Sequence, residues 1–144
     1  MRQFSHLLTA ASSDYPRGGL VMDTIEWDIE RIRDAGARLQ DRGGAQLTGL
    51  AYVDGVIVGL CEVVRFLADD AKVCELGLVY VLPEHRGRGI GSAMLRASLT
   101  RAKEIWEDLE TVYCSYPADS PAANAIMRGL DAEVVSSTTA WQKR

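Results

Sequence analysis

Three glycines and two arginines fall within six residues, Arg86-Gly87-Arg88-Gly89-Ile90-Gly91, followed by Ser92. The apolar run Glu75–Leu82 lies before them and an Ala-, Leu-, Met- and Arg-rich run, Ala93–Trp106, lies after. The pattern reads as strand, glycine loop and helix. Glycine permits positive φ and close backbone approach, so Gly87, Gly89 and Gly91 can turn several N–H groups toward one point. The first N–H groups of the following helix lack internal partners, and its dipole places partial positive charge there. Such a site suits phosphate or pyrophosphate, and Arg86 and Arg88 add cationic side chains beside it. Two common phosphate loops do not fit. No lysine precedes Ser92, as a triphosphate loop of the Walker type requires. The glycine spacing also departs from the G-x-G-x-x-G of dinucleotide folds.

The spacing that does fit is Arg-x-x-Gly-x-Gly after a strand ending in Val-x-Pro. The segment Val81-Leu82-Pro83-Glu84-His85-Arg86-Gly87-Arg88-Gly89-Ile90-Gly91 resembles the coenzyme-A loop of the GNAT superfamily of N-acetyltransferases. The resemblance implies acetyl-CoA as co-substrate. It implies that Val79, Tyr80 and Val81 hold the pantetheine, with the Val79 N–H facing the thioester carbonyl and the Val81 N–H the pantetheine amide. It also implies that Arg86, Gly87, Arg88, Gly89, Ile90, Gly91 and Ser92 hold the pyrophosphate. Ser120 falls where the family often has a CoA-contacting asparagine. Glu75, six residues before Val81, stands where the histone-acetyltransferase branch places its catalytic glutamate. Strand alternation puts Glu75, Gly77, Val79 and Val81 on one face, where a carboxylate in a half-buried cleft would act as general base. The bland alternative for Glu75 is a solvated residue at a strand start. Met127 occupies the position of the family's usual tyrosine acid, and methionine has no proton to give. Tyr113, Cys114 and Tyr116 are the nearby substitutes. His85 is expected to face solvent.

The elements that must position these residues are legible in outline. Asp23-Thr24-Ile25-Glu26 reads as a capping box opening a helix to about Arg42. Gln46–Val53 and Val56–Phe66 read as strands joined by a tight Asp54-Gly55 turn. Leu67–Ala71 turns the chain into the key strand. Glu110–Tyr116 reads as another strand, Ala122–Gly129 as a short helix and Val134–Trp141 as a closing strand. Residues 1–22 carry the least pattern, with a short helix near Leu7–Ala11 and a loop over Ser12–Gly19. The order matches the GNAT plan from its second strand onward. The expected fold is therefore α/β, a GNAT-like acyl-CoA N-acyltransferase fold with a mixed, mostly antiparallel sheet and helices on both faces. The family's opening strand has no counterpart in the pattern unless residues 2–10 supply it. An open sheet edge invites pairing with another chain, so a homodimer is expected. The segment Trp27–Arg33 and the closing Ala140-Trp141-Gln142 are also similar to the second half of actinobacterial-type tandem GNAT proteins.

At 144 residues the chain is read as one domain, 1–144. Its composition, 47% apolar and 25% charged, is that of an ordinary globular protein. The net charge of −4 gives no electrostatic case for nucleic acid or an acidic membrane surface. Cys61, Cys74 and Cys114 are odd in number and scattered, which argues against a disulfide framework or a zinc site, and no metal is expected. No run reads as a signal peptide or membrane span, and the expected location is the cytoplasm. The function these readings imply is transfer of an acetyl group from acetyl-CoA to a primary amine of a small molecule or protein. The alternative is a CoA-binding module with little or no catalysis. The acceptor itself has no motif in the sequence.

Overall fold

The computed structural model describes residues 1–15, 20–67 and 72–143. Of the loop expected over Ser12–Gly19, Ser12–Asp14 belong instead to the opening helix, while 16–19 and most of the turn expected at 67–71 lie outside the described residues. A helix opens the chain, α1 (Arg2–Asp14), followed by α2 (Ile29–Asp41). The strands β1 (Gly44–Val53), β2 (Val56–Phe66) and β3 (Val73–Val81) come next. A single 3₁₀ turn (Pro83–His85), α3 (Ile90–Ile105), β4 (Thr111–Tyr113) and α4 (Pro121–Gly129) complete the order. The sheet runs β1-β2-β3-β4, with antiparallel pairs up to β3 and a parallel pair between β3 and β4.

The β1–β2 hairpin forms as its turn residues require. Asp54 and Gly55 both take positive φ, 49° and 79°, the conformation whose twist suits flanking strands. Each face of the sheet buries its own cluster. On one face Cys61, Val63, Cys74 and Leu76 pack with Met94, Leu95 and Ala102 of α3 and with Met127 of α4. On the other, Leu60 and Tyr80 pack with Leu7, Leu8 and Ala11 of α1. Beneath the first face the buried Arg65 guanidinium holds Asp108 through two 2.7 Å bonds.

The open question of the first strand is answered, and three expectations are corrected. No strand precedes α1 among the described residues. Phe4, Leu7, Leu8 and Ala11 recur at helical spacing, and α1 buries that stripe on the sheet. The second helix begins at Ile29, not near Thr24, because the cap is Asp28, whose carboxylate accepts the Arg31 N–H at 2.7 Å. The Trp27 N–H is engaged instead by the Thr9 hydroxyl of α1 at 2.8 Å. The strand expected over Glu110–Tyr116 is paired only at Thr111–Tyr113. The closing strand expected at Val134–Trp141 does not form. Val134 and Val135, adjacent in sequence, cannot share one strand face, and Ser-Ser-Thr-Thr follows them. All of 132–143 lacks regular structure, and Val134, Val135 and Trp141 are exposed.

Candidate active site

The parallel β3–β4 pair is joined only at Val73–Glu75 with Thr111–Tyr113. Beyond those pairs the strands part. Leu76 to Val81 on one side and Cys114 to Pro117 on the other wall a cavity of about 480 Å³. The Leu82 N–H donates to the Val58 carbonyl at 2.9 Å, across β2. Because N–H directions alternate along an antiparallel strand, those of Val79 and Val81 point away from β2, into the opening.

The loop closes one end of this cavity. Gly87 and Gly89 take φ of 73° and 76°, the left-handed region that side chains disfavour. Gly89 is the N-cap of α3, so the first N–H groups of that helix, at Ile90, Gly91 and Ser92, have no carbonyl within the helix to bind. Gly87, Gly89, Ile90, Gly91 and Ser92 all line the cavity. Helix dipole and unpaired N–H groups thus converge on one end of an otherwise apolar cleft.

The remaining expected residues divide. Arg86 braces the loop: its Nε donates to the Val81 carbonyl at 2.8 Å, its Nη2 pairs with Asp14 at the end of α1, and its guanidinium lies 5.4 Å from the Tyr80 ring centre. Tyr80 lines the cavity and its hydroxyl donates to the same Asp14 carboxylate at 3.3 Å. Burial, then the Asp14 charge, push the Tyr80 phenol up. Arg88 is exposed and stands outside the lining. Ser120 lines the cavity, but its hydroxyl caps α4 by accepting the Ala123 N–H at 3.3 Å. Met127 is buried against the Cys114 thiol, which donates to its sulfur at 3.5 Å. Tyr116 and Cys114 line the cavity; Tyr113 does not. His85 lines it too, with Nδ1 buried, which corrects the solvent-facing expectation.

Glu75 does not share a face with Val79 and Val81. Cys61 pairs with Val79, but Val63 pairs with Leu76, so β3 carries one more residue than β2 across this interval. This bulge inverts the alternation. Cys74 and Leu76 point to the α3 side together with Val79 and Val81, and Glu75 points to the other face. There it accepts the Tyr113 hydroxyl at 3.4 Å and lines neither the first cavity nor the one described next.

That second cavity, of about 920 Å³, lies on the α1 and α2 side of the sheet. It meets the first at Ala11, Tyr15 and Leu78, which line both. At its floor stands Glu62 of β2, accepting from Gln46 Nε2 at 3.2 Å. Burial raises the Glu62 carboxyl above its ordinary value, and the Gln46 bond offsets part of that rise. Glu62 escaped the sequence reading, although it is the one charged residue between Val56 and Val64.

Comparison with known proteins identifies the family and the fold. The model of the Acetyltransferase (GNAT) family matches residues 6–130. No curated protein matches in sequence. Among solved structures, the aminoglycoside acetyltransferase AAC(6')-Iy, in complex with the bisubstrate analogue CoA-S-monomethyl-acetylneamine, superposes with TM-score 0.67. It is 18% identical over 99% of this chain and 90% of that one. A ribosomal-protein-alanine N-acetyltransferase from Brucella melitensis has the same TM-score, 0.67, at 21% identity over 90% of this chain and 76% of that one. The aminoglycoside 6'-N-acetyltransferase AAC(6')-IG from Acinetobacter haemolyticus gives 0.60 at 22% identity over 99% and 91%. At these identities the likeness is one of fold.

Proposed function

Since the chain belongs to the GNAT acetyltransferase family, we propose that it transfers the acetyl group of acetyl-CoA to a primary amine. One observation carries the reading: β3 and β4 part beside a cradle of N–H groups at the start of α3. The fit to acetyl-CoA rests on charge and shape. The helix N-terminus with Gly87 and Gly89 suits the pyrophosphate. The outward N–H groups of Val79 and Val81 suit the amides and thioester of an extended pantetheine, which would lie along β3 as an added strand. Bound acetyl-CoA supplies an activated acyl carbon with a thiolate leaving group. The Val79 N–H would stabilise charge developing on the thioester oxygen. An incoming ammonium must first lose a proton, and two carboxylates, Glu62 and Glu75, face the acceptor side of the sheet from β2 and β3.

A second reading, CoA binding without turnover, is favoured by Met127, whose thioether cannot protonate a leaving thiolate. Calorimetry and thiol release from acetyl-CoA across a set of amines separate the two. Wild-type protein is expected to bind acetyl-CoA, and Gly89→Asp to lose binding, because a carboxylate would sit in the anion cradle. Unchanged affinity in that variant would sink the CoA assignment.

A further inference from the structure

We infer that Glu62 is the group that receives the acceptor's ammonium proton, and that the acceptor is a monoamine on an apolar body. This inference rests on the acetyl-transfer reading and adds the base and the substrate class.

Position comes first. Cys61 and Val63 point to the α3 side, so Glu62 points toward α1 and α2. Directly across from it β3 bulges, and the residue there is Gly77. A Cβ added at Gly77 would lie 3.5 Å from Glu62 Cβ and 3.8 Å from Oε2. With glycine there, the carboxylate stands open toward the stretch of β3 that leaves β4. The next residue, Leu78, lines both cavities. An amine resting on Glu62 and reaching past Leu78 enters the acyl cleft; one resting on Glu75 would start beside the β3–β4 pairs.

Charge comes second. Among the described residues the Glu62 side chain accepts one hydrogen bond, from neutral Gln46, and no lysine or arginine nitrogen lies within 4.0 Å of it. A half-buried carboxylate with no cation is suited to one. From β1 it is faced by Gln46 and Thr48, neither ionisable. From β3 the neighbouring carboxylate on its face is Glu75. From the rim of the cavity Tyr15, Asp23 and Arg42 contribute ionisable groups.

Shape and polarity come third. The cavity wall carries the large apolar side chains Phe4, Leu8, Ile25, Trp27, Ile32 and Leu39, and uncharged polar groups at Ser12, Tyr15, Gln40, Gln46 and Thr48. Besides Glu62 it offers the exposed Asp23 as a carboxylate, and Arg42 opposes further cations. A polyamine or amino sugar would bring several ammonium groups to a wall whose carboxylates are Glu62 and the exposed Asp23, leaving the others without a counter-charge beside apolar side chains, which is costly. An arylalkyl or alkyl monoamine leaves none.

The chemistry balances. The ammonium gives one proton to Glu62. The freed nitrogen lone pair forms the C–N bond at the thioester carbonyl, and the C–S bond breaks with its electron pair passing to sulfur. The second nitrogen proton passes to that thiolate through water, and Glu62 later releases its proton to solvent. The net products are the acetamide, CoA thiol and one proton.

The test measures thiol release from acetyl-CoA with phenethylamine, hexylamine, spermidine and kanamycin, with acetyl-CoA affinity followed by calorimetry. The two monoamines are expected to exceed the polycations in kcat/KM by at least about tenfold. Glu62→Gln keeps the Gln46 partner in reach and should keep acetyl-CoA affinity. It should lower kcat/KM for phenethylamine at pH 7 by on the order of 10²–10⁴. In wild type the rate should rise with pH as Glu62 deprotonates, and in the variant that limb should vanish and the deficit shrink at high pH. A purely structural role would not move the pH profile. Glu75→Gln, run beside it, is expected to lose less. Wild-type turnover in Glu62→Gln, a larger loss in Glu75→Gln, or preference for spermidine or kanamycin would overturn the assignment. Normal acetyl-CoA binding with no acetylation of either monoamine would overturn it alone. Failure to bind acetyl-CoA would overturn the acetyl-transfer reading, and the assignment with it.

Discussion

Two glycines of the cradle, only two residues apart, should respond in opposite directions to the same substitution. Gly89 caps α3 with φ 76° and ψ 6°, and a Cβ placed there meets nothing within 4 Å. Alanine at Gly89 therefore meets no clash and bears only the left-handed backbone penalty, about 1–2 kcal/mol. Gly91 lies inside α3 and is not among the positive-φ residues. A Cβ there would touch Val81 Cγ2 at 3.7 Å, an ordinary contact. Alanine at Gly91 restricts the unfolded chain without strain and should stabilise by about 0.4–1 kcal/mol. Urea unfolding without ligand should thus separate Gly89→Ala and Gly91→Ala by roughly 1.5–3 kcal/mol, with wild type between them. A Gly89→Ala protein as stable as wild type would refute the left-handed cap, and with it the geometry that aims the loop N–H groups at an anion. The comparison also serves the binding assay. A loss of about 1–2 kcal/mol leaves a typical domain folded, so Gly89→Ala separates backbone strain from the charge effect of Gly89→Asp.

Two further outcomes test corrected features of the fold. Asp28→Ala should destabilise by about 0.5–2 kcal/mol, as loss of an N-cap does, whereas Asp23→Ala should leave stability nearly unchanged; equal effects in thermal melts would restore the longer helix. The Arg65 hydrogen bonds hold the Asp108 carboxyl down to about 2. A depressed carboxylate stabilises above its unfolded pKa, and that contribution fades as pH falls toward 2. Asp108→Asn should therefore lower Tm at pH 7 and flatten the acid limb of the stability profile, and an unchanged Tm–pH curve would show the ion pair to be idle.

Much of the fold was legible because its signals are local. The Asp54-Gly55 turn set the hairpin, and β2 runs over Val56–Phe66 as its pattern required. The loop was legible for the same reason: Gly87, Gly89 and Arg86 carry their meaning in type and spacing. What stayed hidden depended on contacts between distant segments. Thr9 of α1 engages the Trp27 backbone, so the cap of α2 is Asp28 although Asp23 offers an equally good capping pattern. Arg86 appeared as a phosphate ligand by its place in the loop. The Asp14 that engages it comes from 72 residues earlier.

The face of Glu75 was misread for a more specific reason. Strand alternation counts residues in steps of two, and one inserted residue reverses every assignment beyond it. The β3 bulge is that residue, and no local pattern in Glu75–Val81 marks it except Gly77, a residue often found at bulges. Before the bulge, odd-numbered β3 residues face α1 and α2; after it, even-numbered ones do, as the clusters holding Leu76 and Tyr80 show. The same insertion has a second consequence. It brings Gly77 opposite Glu62 and Leu78 to the seam between the two cavities. A feature that breaks the register of β3 thus takes Glu75 off the face of Val79 and Val81 and, on the proposal for Glu62, leaves the path from it to the acyl cleft clear of a side chain. If Gly77 serves that path, Gly77→Val should leave acetyl-CoA affinity intact and depress turnover of the monoamine. That kinetic signature belongs to a blocked acceptor route, not to a damaged cradle.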